Sequence, residues 1–232
     1  LIALIEVFVL VLVEAALETV PEEIADHPSV KKYAERRGKK PTEVLLDRSY
    51  HHWAMGRLKD GEKRGRPDIV HFCLLEALGS PLNAKGMLEV YVSTIGGYTI
   101  YVNTRVRLPR VYERFKGVVE SLFKEGVVRA ESGEELLRLE KESLGMLLAR
   151  LKPSVKILMH EEGPRMTSAD FVRLLNTPRP AVLVGAFPHG DFTDSTRRLA
   201  DVEASIWDSP LEAWTVVSRV LCWAEQVEKL KP

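Results

Sequence analysis

Residues 155–187 read VKILMHEEGPRMTSADFVRLLNTPRPAVLVGAF, and their pattern decides the fold class. Val155–Met159 reads as a strand, Ser168–Leu175 as a helix and Ala181–Phe187 as a strand, followed by a strand at Glu203–Trp207 and a helix at Pro210–Lys229. Strand and helix in alternation imply a parallel sheet with helices on both faces, an α/β protein. Ligands of such sheets bind at the carboxyl ends of the strands. Here those ends carry Met159 and His160, then GAFPHG from Gly185 to Gly190, then IWDSPL: Ile206, Trp207, Asp208, Ser209, Pro210 and Leu211. Such turns bring backbone N–H and C=O groups close to an adenine or ribose, and they also use glycine and proline for purely structural reasons. A GxGxxG dinucleotide fingerprint is absent.

Outward from this block, the amino-terminal LIALIEVFVLVLVEAALETV resembles a membrane or signal segment only at first sight. Its uninterrupted apolar run is Val7 to Val13, bounded by Glu6 and Glu14, well short of the roughly 20 residues a spanning helix needs. It also lacks a basic segment and a small-residue cleavage site. Val7–Val13 therefore reads as a buried parallel strand, and no membrane association is expected. The chain opens on Leu1 rather than methionine, so a native start is expected to be missing.

The 232 residues are 45% apolar and 28% charged, an ordinary globular composition long enough for one large α/β domain. Lys+Arg and Asp+Glu balance at 33 each, so any contact with nucleic acid must rest on local patches. Two such patches exist: residues 31–40 carry six basic residues against Glu35, and residues 105–116 carry five against Glu113. Cys73 and Cys222 both lie in apolar helical patterns and read as reduced core residues of a cytosolic protein.

Pro21 opens a short helix and Pro28 another, running to about Arg37, which Gly38 stops. It displays Lys31, Lys32, Arg36 and Arg37, read as a solvated face. Val44–Asp47 reads as a short buried strand leading to Ser49, His51 and His52. Adjacent histidines do not face the same way and no third ligand stands at helical spacing, so no metal site is expected; His51 and His52 read as surface or capping residues. Residues 62–75, EKRGRPDIVHFCLL, then set charge against core. Pro67 suits a first helical position, and Asp68 follows in the first turn, where the helix dipole favours a carboxylate. Arg64 and Arg66 fall in the loop before this helix, and Ile69 to Leu78 is apolar enough to be buried nearly all round. Arg-x-Asp at the mouth of a buried helix is a good mount for a site, and equally a helix start beside a solvated loop.

Leu88–Thr94 and Tyr98–Asn103, joined at Gly96-Gly97, read as a hairpin. In RVRLPRVYERFKG, residues 105–117, Pro109 is expected to begin a helix with Arg110 and Arg114 on one face and Arg107 just before it. Arginine forks grip phosphates bidentately, so this edge is a candidate contact for a nucleic-acid backbone. Residues 130–152 read as an acidic, then amphipathic helix that Pro153 ends.

RGRPDIVHFCLLEALGSPLN, RLPRVYERFKG, VGAFPHGDF and SIWDSPLEAWTV, in this order and spacing, closely resemble the nucleolar essential protein family of ribosome-biogenesis methyltransferases, in its compact archaeal form. The resemblance runs from about Val7 to the last helix. It implies a SPOUT-type α/β fold with a carboxyl-terminal trefoil knot, one domain over residues 1–232, a cytoplasmic homodimer, and S-adenosyl-L-methionine in the knotted loops. The implied reaction is methylation of N1 of a pseudouridine in small-subunit ribosomal RNA, with a role in ribosome biogenesis and the pre-ribosomal particle as partner. Carried over by position, Arg66 and Asp68 fall in the family's RPD motif and are expected to be catalytic, and Arg64 beside it is expected, with Arg66, to touch RNA. Arg107, Arg110 and Arg114 fall on its RNA-binding arginines, and Gly185, Gly190 and Ile206–Leu211 on its cofactor loops. Met159 and His160 match only as residues following a strand. A second reading is an RNA-binding assembly factor without catalysis; only the enzyme needs Asp68 and an intact cofactor loop together.

Overall fold

The computed structural model describes residues 5–229. Its centre is β1 (Phe8–Ala15), the apolar run already singled out. Phe8, Leu10 and Leu12 enter one apolar cluster and Val9, Val11 and Val13 another, so the period of two in the strand serves both faces of the sheet. All six are fully buried, each burial worth about 1.5–3 kcal/mol.

After β1 come α1 (Glu22–Ala25), α2 (Pro28–Arg36), α3 (Arg48–Met55), α4 (Pro67–Leu78) and α5 (Pro81–Ala84). The hairpin β2 (Leu88–Thr94) and β3 (Thr99–Val102) follows, then α6 (Tyr112–Glu125), β4 (Val127–Arg129), β5 (Glu135–Glu140) and α7 (Leu144–Leu151). The carboxyl-terminal block is β6 (Val155–Met159), α8 (Ser168–Leu175), β7 (Pro180–Gly185), α9 (Asp194–Arg197), β8 (Val202–Ala204) and α10 (Ala213–Lys229).

The eight strands form one sheet in the order β4-β5-β3-β2-β1-β7-β6-β8. From β2 through β1, β7 and β6 to β8 every pairing is parallel, whereas β3, β5 and β4 are added antiparallel. The sheet is thus mixed rather than wholly parallel. Helices α4, α6, α8 and α10 pack on one face and α7 on the other. A third apolar cluster, including Ile24, Val30, Tyr33, Leu46, Ala54 and Met55, forms a small lobe around α1 to α3. Among the described residues no helix is long and apolar enough to cross a membrane.

Several expectations are corrected. Residues 130–152 are strand β5 and then α7, not one helix: ELLRLE alternates and buries Leu137, and Ser143 caps a new start by accepting from the Met146 N–H. Val44–Asp47 is buried without forming a strand; it has an isolated bridge, Thr19 to Leu45, and its amides and carbonyls go to loops and to Glu120. The helix after Pro109 starts three residues late, because the Pro109 carbonyl accepts a 2.7 Å hydrogen bond from His71 Nε2; Arg110 therefore precedes α6 and shares no helical face with Arg114. The last helix begins at Ala213, which leaves IWDSPL as loop. Cys73 is buried as expected, but Cys222 is exposed on α10. Phe72 is 48% exposed, so α4 is not buried all round. His51 is fully buried, not a surface group.

Candidate functional site

A cleft of about 470 Å³ opens at the carboxyl ends of β6, β7 and β8. Met159, His160, Gly185, Gly190, Ile206, Trp207, Ser209, Pro210 and Leu211 all line it. Asp208, from the same turn, does not; it turns outward to pair with Arg165, whose guanidinium lies 5.3 Å from the Trp207 ring centroid. Gly185 is set by close approach: a Cβ there would stand 2.8 Å from the Phe192 ring and 3.0 Å from Phe187. Gly190 holds φ +90°, a backbone region that side chains disfavour. Three sequence-remote strand ends are thereby folded back into one wall.

Two cleft residues come from outside this block, Arg66 and Ile69 at the mouth of α4. Contacts between α4 and α10 bring them there, with Phe72 and Trp214 edge to face at 5.1 Å. Arg66 then grips Asp68 in a fork, Nε to Oδ1 and Nη2 to Oδ2, both at 2.8 Å. Asp68 stands at the rim of the cleft, carried by an arginine that lines it. Arg64 does not flank Asp68; its guanidinium donates at 2.8 and 2.7 Å to the two oxygens of Glu18. That pair fixes the loop on the amino-terminal lobe and satisfies the charge of Arg64.

Arg107, Arg110 and Arg114 are exposed, and among the described residues none has an ion partner. They sit where the loop before α6 meets the α2–α3 lobe, and that junction is charged. Lys116, fully buried, donates to Tyr33 Oη at 3.0 Å and to Asp47 at 3.1 Å, and pairs with Glu113 at 2.7 Å. The rings of Tyr50 and Tyr112 lie 4.5 and 4.9 Å from its ammonium. Burial opposes the charge, but hydrogen bonds to Glu113 and Tyr33 with the Asp47 carboxylate outweigh it and hold the lysine pKa above its ordinary value. Tyr112 donates to Asp47 at 2.9 Å, and its pKa is raised by burial and then by that carboxylate. Beside them His51 Nδ1 accepts the Asp47 N–H, and burial pushes its pKa down to about 4. This buried junction has no sequence signature: Tyr112 and Lys116 stand four apart on α6, but Tyr33 on α2 and Asp47 before α3 come from other elements far off in the chain.

Within the cleft His160 is buried, with Nε2 3.0 Å from Asp191 and Nδ1 3.3 Å from Glu203. His160, Glu162 and Asp191 have ligand atoms within 4.8 Å of one another, but both carboxylates are exposed, a common surface arrangement. No metal-ligand grouping forms at His51 and His52 among the described residues.

A concave, partly apolar cleft built from strand-end turns of a parallel sheet, with an Arg–Asp fork at its rim, defines a ligand-binding α/β protein with a charged group placed beside its ligand. The EMG1/NEP1 methyltransferase profile matches residues 10–225. The ribosomal RNA small subunit methyltransferase Nep1 of Thermococcus kodakarensis is 49% identical over 213 residues, covering 91% of this chain and 94% of that protein. Its counterpart in Pyrococcus furiosus is 47% identical, with 91% and 93% covered. The crystal structure of Archaeoglobus fulgidus Nep1 bound to S-adenosylhomocysteine superposes with a TM-score of 0.86 at 43% identity, covering 96% of this chain and 98% of that one. The chain belongs to the EMG1/NEP1 methyltransferase family.

Proposed function

We propose that this protein uses S-adenosyl-L-methionine to methylate N1 of a pseudouridine in small-subunit ribosomal RNA, in ribosome biogenesis. The observation that carries the reading is the Arg66–Asp68 fork at the rim of the strand-end cleft. The cleft fits the cofactor. Ile69, Val184, Ala204 and Val216 offer apolar surface for an adenine, the turns offer backbone groups, and Glu161, Asp191 and Glu212 suit a ligand bearing a sulfonium and an ammonium. When bound, S-adenosyl-L-methionine would supply an electrophilic methyl group, its sulfur–methyl bond breaking to leave a neutral thioether.

In uridine N1 is part of the glycosidic bond, but in pseudouridine it carries a proton. That proton must leave as the nitrogen attacks, so the protein needs an oriented acceptor. Each Asp68 oxygen accepts one bond from Arg66 and keeps a lone pair free. Asp68 accepts the N1–H, orients the ring toward the cleft and takes up the proton as the carbon–nitrogen bond forms. Arg66 holds the carboxylate in place. Arg107, Arg110 and Arg114, exposed and unpaired, hold phosphates of the flanking RNA. Arg64, engaged with Glu18, positions the loop that carries Arg66.

The same reading includes a trefoil knot in the β6–α10 block, a single domain, a cytoplasmic setting and the pre-ribosomal particle as partner. It also includes a homodimer, for which the half-exposed Phe72 beside Trp214 supplies apolar surface between α4 and α10; light scattering reads that state. The decisive experiment is mass spectrometry of nucleosides after incubating pseudouridine-containing RNA with the protein and labelled cofactor. Labelled N1-methylpseudouridine is expected. RNA bound but never methylated would instead favour the assembly-factor reading.

A further inference from the structure

Five of the six cations in the first basic run, residues 31–40, divide in the folded protein into a bound set and a free set. Arg37 and Lys39 are held by Glu120 at 2.8 and 2.6 Å, and Arg37 also by Glu113. Lys31, Lys32 and Arg36 are exposed, and among the described residues they have no ion partner. Lys32 and Arg36 stand four residues apart on α2 and so share a face.

Next to α2 lies α3, with Tyr33 and Tyr50 rings 4.5 Å apart and Arg57 paired with Asp26 at the other end. On the outer side of α3 Trp53 is 80% exposed. Its ring contact among the described residues is a T-shaped one with His52 at 5.4 Å, which leaves most of the indole open to solvent. One turn earlier, Tyr50 donates to Glu113, which lies between Arg110 and Arg114 in the chain. Tyr50 thus ties α3, which carries the indole, to α2 and to α6, two elements that bring unpaired cations to the same lobe.

We propose that the outer face of α2 and α3 is a second RNA contact, in which a base of the single strand flanking the target stacks on Trp53 while Lys32, Arg36 and Arg110 hold the neighbouring phosphates. A flat, uncovered aromatic flanked by unpaired cations matches a single-stranded polyanion with π-faces. An apolar protein surface stacked on the indole would leave those cations to be desolvated without counter-charge. The inference rests on the RNA-methyltransferase reading above, and adds a contact remote from the methyl-transfer cleft.

The test is fluorescence anisotropy with a labelled single-stranded RNA carrying a central pseudouridine, and versions of it with one flanking base at a time removed. Trp53→Ala is expected to weaken binding about tenfold, and Trp53→Phe to restore most of it. One abasic position should cost the wild-type protein a similar factor and cost Trp53→Ala nothing, which identifies the stacked base. Methylation at saturating RNA should be unchanged in Trp53→Ala, with the loss confined to KM for RNA. Equal affinity of Trp53→Ala and wild type overturns the proposal, as does an abasic profile identical in both. Unchanged RNA affinity with altered sedimentation overturns it too and assigns the face to contact between copies. RNA that the wild-type protein neither binds nor methylates overturns the methyltransferase reading, and this inference with it.

Discussion

The carboxyl-terminal block and the amino-terminal lobe are attached to the rest of the molecule by opposite physics. β6, β7 and β8 join β1 through a parallel ladder whose central side chains, Val9 to Val13 and Ala181 to Val184, are apolar and buried on both faces. The α2–α3 lobe meets α6 through Lys116, Asp47, Glu120, Glu113 and a cage of tyrosines. An apolar ladder tolerates change in detail so long as volume is kept, whereas a buried ionic junction fails when one member is lost. The difference follows the division of labour. The ladder presents a cleft of backbone turns, and the ionic junction fixes the edge from which unpaired arginines project.

The largest effect is expected at the Arg66–Asp68 fork, whose loop is tied to the amino-terminal lobe while Arg66 lines the cleft. Asp68→Asn keeps size but removes the acceptor charge, and single-turnover methylation is expected to fall by roughly 10² or more while RNA and cofactor affinities stay within a few fold. A near-normal rate would leave Asp68 a helix-start residue. On the cleft side, Gly185→Val must displace Phe187 and Phe192, two rings of the cleft wall. Cofactor affinity by calorimetry should fall at least about tenfold, since a misplaced wall loses both shape and contacts. Unchanged affinity would remove this turn from the site.

On the ionic side, Lys116→Met keeps the stem and leaves Asp47 and Glu113 without their cation. Urea unfolding should show a loss of about 3–5 kcal/mol, the scale for breaking one partner of a buried pair. A loss under about 1 kcal/mol would mean that the junction is held by its tyrosines alone. Titration reads the same junction. His51 is disfavoured as a cation in the folded state, with a pKa near 4 against an ordinary value of 6.5. The unfolded chain therefore binds the proton more readily, and stability present above pH 6.5 is lost as pH falls toward 4, by about 3 kcal/mol. His51→Gln should flatten that part of the stability profile; an unchanged slope would place the acid sensitivity elsewhere. The smallest effect is expected from Arg110→Ala and Arg114→Ala, each weakening RNA binding several fold and lowering its salt slope by about 0.7 for a single strand. Wild-type slopes in both variants would move the RNA to another face.

The same contrast explains what could be read from the chain alone. Val155–Met159 and Ser168–Leu175 match β6 and α8 residue for residue, because an apolar ladder writes its period into the sequence. The strand-end turns follow from it, and with them most of the cleft. Asp208 escaped because a turn residue can face either way, and its choice depends on Arg165, far off in sequence. The ionic junction was illegible for a stronger reason: Lys116 and Arg114 look alike in a basic run, and only the approach of Asp47 and Tyr33 makes one a buried anchor and the other a free cation. Residues 130–152 failed on period, where ELLRLE next to a helical run blurred two elements into one.

The position of β1 also governs how the protein comes into being. This strand leaves the ribosome well before its two neighbours, since Phe8 pairs with Leu88 and Val9 with Ala181. Until about residue 185 has been synthesised, a nascent chain carries its most apolar segment with one edge unpaired, a state prone to self-association. The lobe of α1 to α3 has its own apolar cluster, made wholly of residues 20–58, and emerges before either neighbour of β1. Folding of the sheet is thus a late, long-range event, which waits for the strand that supplies the cleft's Gly185 to slot in beside β1.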